Sequence, residues 1–477
     1  MKIPGFLEKF TSISQDENVP LSYYILSFLS IINLRNFLEI FSDTAIVPFS
    51  IFSASDQNLL MSSVSIGISF FHYTLFWVSS VLLFSIVFSL ITSDTIQRSL
   101  RSALSLVCAI GVITPIIDLI ISKGKGIDIS YVYPEKLQNL IFFSANITPG
   151  ETITALLSMI LSILYFLTKT KNLAKTLVGA IAIYIILLVS TIIPLLTKIT
   201  CLSCQNGFSI ITMIRFLTIL IFIETFILLL LGKNELLKII TQQIKTKTIM
   251  QLILLFLIGM AIYQARSERM ILADLGGFIL ILVTIYLGFA IYTLFKSPQA
   301  TNQKTSLFIL FFMATLASTA VNFTTLFFLT LSVGSFFVYF HLPLKLSRVY
   351  FISKALLSFN LILLIMLGWL FSGGEILSFP HIFSFYILIF FTGCLNIQEI
   401  ESKPKIRFII SSFFLIAYCL LGFLFLEPRF IIPCSAVGII QFFLVHQNPP
   451  KYKNISWLYL LTLAAIFIWL NFLRIYS

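Results

Sequence analysis

Five ionisable side chains stand inside otherwise apolar runs of this chain: Arg35, Glu39, Asp118, Arg215 and Glu224. A charge in hydrocarbon is costly unless it is paired or faces water, so such residues mark a polar bond between helices or a site that handles a charged ligand. Glu39 follows Arg35 at i+4, a spacing that puts the two on one helix face as a pair. At about 1.5 Å of rise per residue, Arg35 lies about 9 Å, Asp118 about 6 Å and Arg215 about 11 Å from the outer ends of their runs. Arg35, Glu39, Asp118 and Arg215 thus share one depth on three helices, and the spacing predicts a buried polar network in the outer third. Two readings are open for it: glue between helices, or a lipid-headgroup or substrate site. Glu224 comes on the opposite face of the helix that carries Arg215, which makes it an isolated intramembrane acid about 12 Å from the inner end. A lone carboxylate at that depth takes up a proton or faces a wet cavity, and a proton-coupled role is one reading of it.

Other groups carry weaker signals. Cys201 and Cys204 form a C-x-x-C pair in an outer loop, readable as a local disulfide or as free thiols. His72, His341, His381 and His446 show no metal-ligand spacing, and no metal site is expected from them. Thr148-Pro149-Gly150-Glu151 reads as a turn before a helix start.

The elements that must position these residues follow from composition. Hydrophobic residues make up 58% of the 477 positions, charged residues only 10%, and the mean hydropathy is +1.03. Soluble domains carry about 25% charged residues, so the surroundings of this chain are lipid. Runs of about 20 apolar residues, the length of a membrane-crossing helix, recur throughout. They fall at roughly 21–41, 64–92, 102–122, 152–168, 176–197, 208–232, 249–263, 275–296, 305–321, 323–340, 351–371, 379–397, 406–426, 429–446 and 455–474. The expected fold is an all-α polytopic transmembrane bundle of about 15 spans, because only helices and closed barrels satisfy their backbone in lipid. Alternating through these spans with the N-terminus inside puts most of the 31 Lys and Arg on the inner side, as cytoplasmic loops require. The C-terminus then lies outside. The net charge of +12 reflects basic loops facing an anionic leaflet; no basic soluble domain exists to bind nucleic acid. The polar start, MKIPGFLEKFTSISQDENVP, lacks the apolar core of a cleaved signal peptide.

The basic loop 233–248 divides the chain into a six-span module, 1–248, and a nine-span module, 249–477. Within the second lies Phe337–Lys354, FVYFHLPLKLSRVYFISK, and further on Glu399-Ile400-Glu401-Ser402-Lys403. These stretches resemble the UbiA-type intramembrane prenyltransferase superfamily. Tyr339, Pro343, Leu344, Lys345, Leu346 and Arg348 match its loop after the fourth helix, and Glu399 and Glu401 stand near its second aspartate motif. The resemblance implies a nine-helix module around a lipid-accessible cavity. It also implies prenyl diphosphate as substrate, bound through magnesium held by two carboxylate clusters. Here this chain departs from the pattern. No Asp or Glu occurs between Leu275 and Gly374, and Lys403 replaces the last acid of the second motif. Glu399 and Glu401, two apart on a helix, point to nearly opposite sides. No cofactor is therefore expected, and magnesium would need carboxylates from elsewhere. Lys345, Arg348, Lys403 and Lys405 remain as candidates to bind a lipid phosphate without metal, or else serve only as the positive-inside signal. The expected partner is a membrane lipid, an isoprenoid or a polyprenyl phosphate or diphosphate. The alternatives are a divergent but active prenyl or lipid transferase, and a transporter or flippase.

Overall fold

The computed structural model describes residues 12–42, 56–127, 147–191, 210–232, 246–264, 274–296, 303–340 and 350–379, with the isolated positions 193, 412, 413, 416, 420 and 439. The regular elements among them are α-helices: α1 (Leu21–Ser42), α2 (Asp56–Thr92), α3 (Ile96–Ile110), α4 (Ile113–Ile121), α5 (Pro149–Thr170), α6 (Leu173–Thr191), α7 (Ile210–Leu231), α8 (Thr246–Gln264), α9 (Leu275–Lys296), α10 (Gln303–Val321), α11 (Phe323–Phe340) and α12 (Tyr350–Phe371). Eight segments among the described residues are long and apolar enough to cross a membrane, with α3 and α4 together forming one of them. The expected runs at 249–263, 305–321 and 351–371 are shorter apolar helices, Thr248–Gln264, Ser306–Val321 and Ala355–Phe371. Of those at 379–397, 406–426, 429–446 and 455–474, only the isolated positions 379, 412, 413, 416, 420 and 439 are described.

Burial departs from that of a water-soluble protein in what it leaves outside. Leu26, Ile120, Ile181, Phe308 and Phe327 are exposed, whereas Ser79, Ser85, Ser99, Asp118, Thr218 and Glu224 are buried. Many interior hydroxyls bond back to the carbonyl one turn earlier, as Ser85 does to Val81 (2.7 Å) and Thr218 to Ile214 (2.7 Å). That bond removes the cost of a bare hydroxyl within a helix that has no water to turn to. The chain is thus a multi-pass integral membrane protein.

The helices form two compact units. The first comprises Met1–Leu237 with Asp274–Gly276, the second Lys238–Ala273 with Gly277–Ser477. In the first unit α2 is the hub, packing against α1, α3, α5, α6 and α7. Phe84, Phe88, Val107, Phe166 and Ile183 form its core, and the Phe88 ring meets those of Tyr165 (4.5 Å) and Phe166 (5.4 Å). The break between α3 and α4 at Gly111–Val112 follows from Pro115, which has no N–H to give the carbonyl of Gly111 four residues back. α5 begins with a capping box. Thr148 Oγ1 accepts the Glu151 N–H (3.1 Å), Glu151 Oε2 accepts the Thr148 N–H (3.0 Å), and Pro149 opens the helix.

In the second unit α8 and α12 run antiparallel and nearly touch, backbone to backbone. A methyl group on Gly259 would stand 1.9 Å from the Ile365 carbonyl oxygen, and one on Gly368 would stand 2.0 Å from that of Phe256. In lipid such small residues let helices gain close dispersion contact, which is what drives their association there. Tyr292 of α9 packs on Phe336 (5.0 Å) and Phe340 (5.6 Å) of α11. Asn322 starts α11 by accepting the N–H (2.7 Å) and hydroxyl (2.8 Å) of Thr325.

Candidate functional site

Each unit holds a candidate site of its own. In the first, Arg35 and Glu39 pair at 3.2 Å, with side chains 7% and 2% exposed. The guanidinium also lies over the rings of Tyr73 (5.1 Å) and Trp77 (5.4 Å) from α2, a face-on contact that strengthens when water is absent. Beside it Asn36 donates to Thr74 Oγ1 (3.0 Å) and to the Phe70 carbonyl (3.3 Å), locking α1 to α2. Asp118 is 1% exposed. Its two oxygens are taken by different groups at the start of α5: Oδ2 accepts the Thr148 hydroxyl (2.6 Å), and Oδ1 accepts the Gly150 N–H (2.8 Å). Gly150 has to be glycine, since an added methyl would lie 2.3 Å from the Thr114 carbonyl oxygen. Glu151 lies close enough to Glu39, Arg35 and Asp118 to feel all three charges. Arg35, Glu39 and Asp118 are thus brought to one buried region, in which Glu151 joins them. Arg215 finds its carboxylate elsewhere, in an ion pair with Asp274.

Glu224 is 1% exposed and stands apart from that region. Ser79 of α2 donates to its Oε1 at 2.7 Å, and Oε2 has no hydrogen-bond partner among the described residues.

A further polar group was not singled out in the sequence. Asp94, in the tight turn between α2 and α3, accepts from Lys169 at the end of α5 (3.5 Å), from Tyr165 (3.3 Å) and from Gln15 (3.2 Å). Ser102 (3.0 Å) and Tyr165 (2.9 Å) stand within reach of the same Gln15 amide nitrogen, whose two protons these three oxygens share, and the Gln15 carbonyl oxygen accepts from Lys169. The segment ahead of α1 is thereby fastened to α3, to α5 and to the turn between α2 and α3. Next to it Glu17 meets Arg98 at 2.6 Å in the open, and that guanidinium holds the Glu17 carboxyl below the usual range. The polar cluster Thr92-Ser93-Asp94-Thr95 between two apolar runs marks this turn in the sequence; Ser93 there takes a positive φ (59°), and Thr95 caps α3.

The second unit encloses a cavity of about 430 Å³ between α8, α9, α11 and α12. Leu255, Ile285, Phe289, Phe328, Leu361 and Leu364 supply much of its wall, and seven side chains, Gln251, Tyr292 and Asn360 among them, add polar atoms. Ligand pockets fall in the range of about 300–1,000 Å³, with mostly apolar walls and a few placed polar groups. No Asp or Glu lines the cavity, and no group of three or more His, Cys, Asp or Glu occurs among the described residues. Among the described residues, then, no group of carboxylates is gathered that could supply the several oxygen ligands a hard dication needs. Lys345, Arg348, Glu399, Glu401, Lys403, Lys405, Cys201 and Cys204 lie outside the described residues.

Comparison with protein-family models, with curated proteins and with solved structures finds no match for the chain.

Proposed function

We propose that this membrane protein binds an isoprenoid or other long-chain lipid in its second unit, as a UbiA-like module that lacks the acid-rich metal motifs. The observation that carries the reading is the cavity of about 430 Å³ walled by leucines and phenylalanines from four helices. Its mostly apolar wall suits a lipid chain, with a few polar side chains left to meet a headgroup. The missing carboxylates argue for binding over ionisation of a diphosphate, since the leaving group would have no cation to neutralise it. A phosphorylated lipid would find in Lys345, Arg348, Lys403 and Lys405 cations able to bind its phosphate without a metal. Native mass spectrometry of the full chain, with and without magnesium, tests this. The expected result is a long-chain lipid adduct retained equally in both. Retention of a diphosphate lipid only with magnesium would establish the metal chemistry denied here, and absence of any adduct would remove the lipid reading.

A transporter or flippase is the second reading, favoured by the buried Glu224 and the buried Arg35–Glu39 pair in the first unit. Lipid movement across vesicles that depends on Glu224 would establish it.

A further inference from the structure

We propose that Glu224 and Ser79 form a proton-binding site in the seam between α2 and α7, and that the bound proton holds the seam closed. The site stands whether or not the chain moves lipid; a transporter built on it would be coupled to protons.

α7 packs on α2 through a buried stripe at heptad spacing, Ile214, Leu217, Ile221, Glu224 and Leu228. Glu224 thus stands where the seam asks for an apolar side chain. Most interior hydroxyls here bond back within their own helix, as Ser80 does to the Phe76 carbonyl (2.9 Å) and Ser85 to that of Val81 (2.7 Å). Ser79 instead gives its proton across the seam to Glu224 Oε1 (2.7 Å). The two side chains lie in residues 1% and 3% exposed, Glu224 and Ser79 in turn, and Oε2 has no hydrogen-bond partner among the described residues.

This arrangement suits a neutral acid and not a carboxylate. One donor serves Oε1 as the carbonyl oxygen, and Oε2 carries the proton. A buried carboxylate would need a cation or several donors instead. Burial and the Ser79 hydroxyl are what act on Glu224 among the described residues. The other titratable side chains described on the two helices are His72 and Tyr73 of α2 and Arg215 of α7. They stand about 9 Å or more away along the helix axes, and Arg215 is paired with Asp274. Two side chains supply too few oxygens for a metal ion, so the ligand is a proton. In the closed seam its loss would leave a bare charge in hydrocarbon, so it is given up where the carboxyl meets water. The closed seam therefore holds one proton more than the open one, and raising the pH favours opening.

The test uses the full chain in detergent, as the natural protein and as Glu224→Gln, which keeps an acceptor for Ser79 and cannot ionise. Infrared spectra should show a carboxylic-acid C=O band that Glu224→Gln removes and Ser79→Ala moves to higher frequency. Hydrogen exchange over α7, followed by mass spectrometry on both proteins side by side, reads the seam. The ratio of natural to variant exchange should climb with pH by up to about tenfold per unit, the effect of one proton released on opening. If Glu224→Gln removes no acid band, Glu224 is ionised and the site is overturned. An acid band with an exchange ratio flat in pH would overturn the proton's hold on the seam. Where Glu224→Gln fails to fold, the Ser79→Ala shift identifies the band, and exchange over α12 of the same molecule becomes the reference.

Discussion

Alanine at Gly259 or Gly368 should prise α8 from α12, and the size of the effect follows from the backbone geometry. Each added methyl would stand about 2 Å from a carbonyl oxygen, at 1.9 Å for Gly259 and 2.0 Å for Gly368, where contacts below 3.0 Å essentially never occur. The obstructing atoms are backbone, so no side chain can swing aside, and the helices must part by roughly 1 Å or more. Overpacking of this kind costs about 1–3 kcal/mol, against which alanine returns about 1 kcal/mol in helix propensity. A net loss of about 1 kcal/mol, and up to about 2, is expected for either variant. Both methyls press on the same crossing, so one separation accommodates both, and the double variant should lose clearly less than the sum of the singles. Gly334 of α11 is the control: no atom lies within 4 Å of a methyl placed there, so alanine should be neutral or mildly stabilising. Unfolding of purified protein in detergent micelles, followed by loss of helical circular dichroism, gives the comparison. If Gly259→Ala and Gly368→Ala behave like Gly334→Ala, the close crossing is not there and the cavity wall built on it loses its support.

Two further expectations concern the first unit. Arg35→Leu leaves Glu39 buried without its ion-pair partner and should cost about 3 kcal/mol, whereas Arg35→Leu combined with Glu39→Leu should recover much of that loss in the same unfolding assay. A double variant as unstable as the single would show that the pair itself is not the source of the cost. Asp118→Asn keeps an oxygen for the Gly150 N–H but turns an N–H toward the Thr148 hydroxyl, which then has no acceptor for its own proton. It should lose about 1–2 kcal/mol, and Asp118→Leu should lose more. Unchanged stability of Asp118→Leu would show that this carboxylate does not fasten α4 to α5.

Much of this protein was legible along the chain because lipid makes helix formation a local matter. A run of about 20 apolar residues has to satisfy its own backbone bonds whatever its neighbours are, so α1, α2, α5, α6, α7, α9 and α11 could be read from hydropathy alone. Local pairs were readable for the same reason: Arg35 with Glu39 is one helical turn apart, and Thr148 with Glu151 sits at the head of a helix. Partners distant in sequence were not. The spacing in depth suggested that Arg215 joins Arg35 and Asp118, yet helix packing sets Arg215 against Asp274 and brings Glu151 to the others. Depth is one coordinate, and partnership also needs the rotation of each helix and the identity of its neighbour. Ser79 meets Glu224 across 145 positions of sequence, and the cavity draws its wall from four helices. Hydropathy determined that these segments lie in a membrane. Only the packed helices decided which polar atoms meet, because one apolar face is as good as another to the lipid and close contact alone tells them apart.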